Sequence, residues 1–539
     1  MNAAPTKRWG RAELAAIGII WLASAITWMR PYLLANEMVY LLPALQRWSP
    51  GTLATDWTWG GDLWRSTSAL FGLLSAPLWA VSDRPEIVAM LGRALGWVVI
   101  AASIVQLGRR LGVKAGWTAF GTAMFILAGQ GHAAGEWILL GFERKNFAHA
   151  AAILALSELI GGRTATSGAF VGLATAFHVL VGAWWGLAVG GGALLSWPRI
   201  GFRGVARLAV AALVVGVPFG LLAVSYLLSG DITTSTGLPA DPERATWLTT
   251  VFRNPHHTLP RHFLDAGKMV RFVALSAATV LAARRTARPE AVRVVTGAVI
   301  VGAVAFVGGW AAGKSEVLAV LKWYPFRLAD VLVPLLFWLL VPAAVHDVFV
   351  WYRRDPRTVD GRRFVAAVLA VGLAAWALAP RVPAGLRRVR STFKSWPIGK
   401  HALADAGQWI RANTKKDAVF AVPPCEFDFW IRARRPAVVI YKAVPHGPRV
   451  HQWYERLRAV GGDHDPATTG FEVCKELQPR YAKLTADQLA RLGKRYGARY
   501  YLLRGDRKDL TAARVYKDVR WAVYDIAAVA ARRPPGASP

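Results

Sequence analysis

The sequence predicts a polytopic α-helical membrane protein with an α/β domain at its C-terminal end. Three observations predict it. Of 539 residues, 54% are hydrophobic and 18% charged, whereas soluble domains carry about 25% charged residues. The apolar residues form long runs almost free of charge up to about residue 380, where that pattern stops. The basic residues between the runs fall largely on one side of them, as short cytoplasmic loops require. Apolar and aromatic content this high also excludes disorder.

A crossing helix needs about 17–25 apolar residues. Runs near that length are Glu13–Met29, Ile87–Leu107, Ala115–Gly131, Phe147–Ile160, Leu208–Leu228, Met269–Ala283, Val294–Trp310, Val331–Val350 and Phe364–Ala379. The glycine-rich run Ser167–Trp197 is too long for one crossing. It reads as two short helices meeting near Trp184 and Trp185. About eleven transmembrane helices result. Glu13–Met29 follows a basic segment, as a signal peptide would, but no cleavage site follows it, so it counts as a span.

Ser66–Val81 is shorter and contains Pro77, which suits an interfacial helix better than a crossing. Charge arbitrates. Without that crossing, Lys7, Arg8 and Arg11, the Arg109–Lys114 cluster, Arg163, Arg199, Arg203, the Arg284–Arg293 cluster and the Arg353–Arg363 cluster share one face. The N-terminus is then cytoplasmic. The expected domains are a transmembrane domain, 1–379, and an extracytoplasmic domain, 380–539.

In the latter, Ala402–Asn413 and Thr485–Tyr496 read as helices, and Ala418–Val422, Ala437–Tyr441, Tyr500–Leu503 and Trp521–Tyr524 as strands. The two cysteines, Cys425 and Cys474, lie in this part. An extracytoplasmic compartment permits a disulfide between them, and two unpaired buried thiols are the alternative. The Arg-Arg-Pro-Pro-Gly-Ala-Ser-Pro end reads as a frayed tail.

Net charge is +32, from 65 Lys and Arg against 33 Asp and Glu. Such an excess first suggests nucleic acid, but no single basic patch exists. Much of it divides between the cytoplasmic loops and residues 380–539, where 31 Lys and Arg face 14 Asp and Glu. Attraction to anionic lipid is one reading of the second group, including Arg432, Arg434 and Arg435; a solvated surface, or a cover over the active cavity, is the alternative. No P-loop, dinucleotide-binding glycine pattern or CxxC is present, so ATP-driven and redox functions have no support.

The outside loops carry the candidate chemistry. Glu37 and Asp56 lie in the first, Arg144 and Lys145 in the second, and Arg253, His256 and His257 in the fourth. Arg327 precedes the tenth span, and His178 sits in an apolar context inside one. Basic side chains could hold an anionic group while a carboxylate takes a proton from an attacking hydroxyl. Each also has a plainer reading. Arg144, Lys145 and Arg327 could anchor in head groups, Asp56 could cap a turn among Trp57 and Trp59, and His178 could bond a neighbouring helix. Three histidines in Arg253–His262 permit metal binding, yet their spacing lacks the H-x3-H pattern.

This order of elements resembles the GT-C superfamily of integral-membrane glycosyltransferases. The matching features are one span, a large outside loop with an acidic motif near its start, a short interfacial helix, short-looped spans and an extracytoplasmic C-terminal domain. Members often carry two acids in that first motif. Here it is Asn36-Glu37, an amide in place of the first acid. The resemblance implies that Glu37 or Asp56 acts as general base or orients an acceptor or divalent metal. It also implies a donor sugar on a polyprenyl phosphate, held by Arg144, Lys145, Arg253, His256, His257 and Arg327. A transporter or flippase for an anionic lipid or solute is the alternative, with paired broken helices as its signature. A catalytically inactive scaffold is the third reading.

Overall fold

The structure is a computed structural model describing residues 9–34, 36–60, 68–229, 241–354, 361–378, 381–394, 403–445, 447 and 449–531. Lys7, Arg8, Arg357, the expected 379/380 domain boundary and the tail from Arg532 lie outside the described residues.

The chain divides into two compact units. The first comprises residues 1–31, 89–221 and 256–397, and the second residues 32–88, 222–255 and 398–539. The unit holding the soluble elements thus also takes in Tyr32–Val88 and Leu222–Pro255, two segments that sequence alone placed in the transmembrane domain.

The helical unit is built from α1 (Arg11–Trp28), α2 (Pro85–Leu111), α3 (Ala115–Leu127), α4 (Arg144–Ile160), α5 (Thr164–Phe177), α6 (Val179–Leu195), α7 (Trp197–Ser229), α8 (Ala266–Thr286), α9 (Pro289–Lys314), α10 (Phe326–Arg354), α11 (Gly361–Leu378) and α12 (Val382–Lys394). Every expected apolar run lies on one of the first eleven. Among the described residues, six helices are long and apolar enough to cross a membrane: α1, α2, α7, α8, α9 and α10. The helices α3, α5 and α6 are apolar but shorter. Against about eleven expected spans, six of the twelve described helices of this unit reach full crossing length by composition.

Buried along nearly its whole length, α10 is the central helix of this unit. It stays helical through Pro334 and Pro342, which neighbouring helices in an apolar medium tolerate. Glycines set the closest helix approaches. A Cβ on Gly191 of α6 would meet the Gly297 carbonyl of α9 at 2.9 Å, and one on Gly192 would meet the Val294 carbonyl at 3.0 Å. Small residues let backbones approach this closely when lipid removes the hydrophobic driving force.

The glycine-rich pair breaks at His178, not at Trp184 and Trp185. His178 is extended (φ −156°, ψ 100°) and separates α5 from α6, and its ring accepts the Val181 N–H. The tryptophans lie inside α6, where Trp185 donates to His149 Nδ1 at 3.1 Å. A residue that can cap the new helix decides the break, so the bulky pair does not.

In the second unit, β1 (Val419–Ala421), β2 (Ala498–Arg504), β3 (Arg514–Lys517) and β4 (Trp521–Asp525) form a sheet of order β1-β2-β4-β3. The β1–β2 pair is parallel and the others antiparallel. The expected strand Ala437–Tyr441 makes only a bridge at Ala437 with Phe420. Pro423 and Pro424 follow β1 and have no N–H with which to extend a ladder. Strand β3 was not expected. The helix Ala486–Tyr496 forms as expected, with Thr485 and Gln488 in a reciprocal cap. Cys425 and Cys474 form a disulfide with Cα atoms 5.8 Å apart. Ser66–Val81 yields a short α-helix, Ala69–Ser75, that tightens to a 3-10 turn, Ala76–Ala80, at Pro77.

Candidate active-site cavity

The loop joining α3 to α4 is held from both sides. Gly129 and Gly135 take positive φ values of 94° and 73°, which glycine allows without strain. A Cβ on Gly131 would stand 2.5 Å from the Glu136 carbonyl and 3.0 Å from Asp330 Oδ2. The side chain of Gln130 accepts the Ile138 and Leu139 N–H groups at 2.9 and 2.6 Å and donates to the Leu139 carbonyl at 2.7 Å. The loop wraps the buried carboxylate of Asp330, near the start of α10. Oδ1 accepts the N–H groups of His132 (2.7 Å), Ala133 and Ala134 (3.0 Å), and Oδ2 accepts that of Glu136 (2.6 Å). A charged acceptor facing several backbone donors makes a strong anchor.

Glu136 is the centre of the charged cluster. Lys145 Nζ lies 2.7 Å from Oε1 and Arg327 Nε 3.2 Å from Oε2. Burial opposes its ionisation, yet Lys145 and Arg327 outweigh burial and hold the carboxyl well below the usual carboxylate range. Lys145 also sits over the Trp137 ring at 3.6 Å, and Arg327 over the Tyr324 ring at 4.2 Å. Because Trp185 donates to Nδ1 of His149, that imidazole carries its proton on Nε2, 3.9 Å from Glu136 Oε1.

Four of the expected ligands therefore gather near one carboxylate. Lys145 and Arg327 touch Glu136. His257 Nδ1 bonds the Ala134 carbonyl at 2.7 Å, and His178 lies within electrostatic reach of Glu136, with Arg144 near His178. His256 packs against His257 with ring centres 4.1 Å apart and planes tilted by 45°. Burial, with Arg327 as a like charge, pushes the His257 imidazole down to about 3.

The other face of the loop lines a cavity of about 340 Å³ with Trp28, His132, Glu136, Lys268 and Arg381. Arg381 donates to the His132 carbonyl at 3.1 Å and has Arg271 and Arg388 as like charges, opposed by Asp330. His132 Nε2 bonds the Lys268 carbonyl at 2.8 Å. Burial, then its cationic neighbours, push its ring down to about 4. The cavity thus joins fixed cations to a glycine-rich backbone and one ionised carboxylate, which is suited to holding an anion.

The remaining expected residues lie in the second unit. Glu37 is fully buried and its Oε2 accepts the Leu34 N–H at 2.6 Å. Asp56 accepts four donors: Thr58 N (2.7 Å), Trp59 N (2.9 Å), Trp430 Nε1 (2.8 Å) and Ala437 N (2.9 Å). Arg253 donates to the Tyr441 and Lys442 carbonyls at 3.1 and 3.3 Å and lies over the Tyr441 and Phe471 rings. Among the described residues no three or more His, Cys, Asp or Glu are placed to hold a metal ion.

Residues 401–460 match a family model described only as a domain of unknown function, DUF6798. No curated protein sequence matches the chain. Similar solved structures include the Archaeoglobus fulgidus oligosaccharyltransferase tethered to an acceptor peptide containing the NVT sequon. It is 10% identical with a TM-score of 0.49, covering 91% of this chain and 69% of that one. The archaeal oligosaccharyltransferase AglB, in complex with an inhibitory peptide and a dolichol-phosphate, gives 11% and 0.49 over 92% and 69%. ArnT from Cupriavidus metallidurans, bound to undecaprenyl phosphate, gives 15% and 0.48 over 96% and 98%. The functional reading below rests on the chain's own residues.

Sequence reasoning did not select Glu136, Asp330, Gln130, His149, Lys268 or Arg381. Asp330 had a usable signal, an acid at the edge of the apolar run Val331–Val350, because ionisable groups there need a partner or a job. Glu136 had a weaker one, an acid nine residues before Lys145 in a loop with glycines at 129, 131 and 135.

Proposed function

We propose that the protein is a multi-pass membrane glycosyltransferase that moves a sugar from a polyprenyl-phosphate-linked donor to an acceptor. The observation that carries this reading is the cavity lined by Glu136, Lys268 and Arg381, with Lys145 and Arg327 held on Glu136. In this reading the cationic set takes the donor's phosphate.

The carboxylates Glu37 and Asp56 are the proposed groups for proton transfer. Asp56 accepts four hydrogen bonds, and Glu37 accepts the Leu34 N–H among its partners; in this reading either carboxylate takes the acceptor's proton. The disulfide supports an extracytoplasmic second unit, and a cytoplasmic N-terminus is part of the same proposal.

The test uses the full-length protein in vesicles with a radiolabelled polyprenyl-phosphate sugar pool. Wild type should transfer label, Arg381→Gln and Lys268→Gln should slow it at least tenfold, and Glu37→Gln should abolish it. Equal transfer by wild type and all these variants overturns the reading.

A further inference from the structure

A second cavity lies at the opposite end of α4. It is a groove of about 650 Å³ between α2, α4 and α5, with Val99, Ala102, Leu154 and Phe170 along its walls. Glu158 at its polar end is thirteen residues beyond Lys145 on the same helix, about 20 Å at the α-helical rise. The groove is therefore distinct from the cavity beside Glu136.

Two features say what it takes. Gln106 is more than nine-tenths buried and lines the groove, and its Oε1 has no hydrogen-bond partner. A buried acceptor left unmade is costly, so the natural occupant brings a donor. The polar end is also strongly cationic. Arg109 lines it, Arg110 and Arg163 lie within electrostatic reach, and the carboxylate facing them is Glu158, already ion-paired with Arg163. Arg110 and Arg199 pack on Gly161 and Gly162 at the end of α4, and Arg199 donates to the Ile160 carbonyl at 3.2 Å.

An apolar trough ending in arginines and one hydroxyl-seeking acceptor has the shape of a lipid with an anionic head. We propose that this groove binds a glycerophospholipid whose head carries one phosphate and free hydroxyls, the chemistry of phosphatidylglycerol. The acyl chain lies against Val99, Ala102, Leu154 and Phe170. The phosphate meets Arg109, and a head-group hydroxyl donates to Gln106 Oε1. Basic pockets between membrane helices recognise anionic head groups on this physical basis.

Full-length protein in detergent, offered equal dioleoyl phosphatidylglycerol and dioleoyl phosphatidylcholine, tests this by native mass spectrometry. The wild type should retain the glycerol lipid about tenfold over the choline lipid. Arg109→Gln, a half-buried position, and Gln106→Leu should each bring the ratio near one, while Leu154→Trp should reduce retention of both lipids. Glycerophosphoglycerol, which has no chains, should not compete. Equal retention of the two lipids by wild type, an unchanged ratio in Arg109→Gln, or full competition by the chain-free head group overturns the proposal.

Discussion

Asp330 and Glu136 are joined through one hydrogen bond: the Glu136 N–H donates to Asp330 Oδ2 at 2.6 Å. The two carboxylates do opposite work. Asp330 faces backbone donors and shapes the loop, whereas Glu136 faces Lys145 and Arg327 and fixes their charge. Asp330→Asn retains the size but offers one oxygen in place of two. Hydrogen bonds to a charged group contribute about 1.5–3 kcal/mol each, so the variant should lose at least about 3 kcal/mol. Thermal unfolding of the detergent-solubilised protein reads this, and a melting temperature equal to wild type excludes the anchor.

Glu136→Gln should be at least as damaging, for a different reason. It removes the carboxylate shared by buried Lys145 and half-buried Arg327, leaving Lys145 only Glu143 at 3.9 Å, and breaking a buried pair this way costs about 3–5 kcal/mol. Adding Lys145→Met should recover part of the loss, because the stranded charge is gone. If the double variant melts no higher than Glu136→Gln alone, the ion pair is not the cause.

Acid should weaken the helical unit. Free histidine titrates near 6.5, while His132 is held down to about 4 and His257 to about 3. Between those limits the unfolded chain binds protons that the folded chain refuses. Stability is therefore full above about pH 6.5 and falls as pH drops toward 4, by up to about 1.4 kcal/mol per unit for each ring. Melting temperatures at pH 7.5, 6 and 4.5 should decline in that order. His132→Gln and His257→Gln should flatten the trend, and a slope unaltered by either change sinks the assignment.

The disulfide closes a loop with a sequence separation of 49. Chain entropy assigns such a closure about 4 kcal/mol. Cys474→Ser should lower the unfolding midpoint of the second unit and leave the helical unit's transition in place. A single unchanged transition would argue that the bond contributes little.

Helix positions were legible because a long apolar run has one solution in a bilayer. The site was only half legible. Lys145, Arg327, His178 and His257 could be chosen by type, since charge beside a span stands out against apolar neighbours. Asp330 and Gln130 act through backbone groups of residues 132–139, and no local pattern reveals which N–H a side chain will meet. Asp56 and Arg253 show the converse. Both looked reactive by type, and the fold gives each a set of partners within the second unit. Likewise, Ala437–Tyr441 had strand composition, but the prolines beyond β1 limit its pairing to a bridge at Ala437.

The glycine seam between α6 and α9 reverses the usual map of tolerance. In a water-soluble core, the damaging change is apolar to polar. Where Gly191 and Gly192 meet the backbone at Gly297 and Val294, adding one methyl group is enough, because it wedges two helices apart and lets lipid enter the gap. Gly308, with open space around its Cα, should accept the same methyl group freely. Along this helix pair, size governs fitness more than polarity, and the 50 glycines of the sequence include fasteners that hold by being absent.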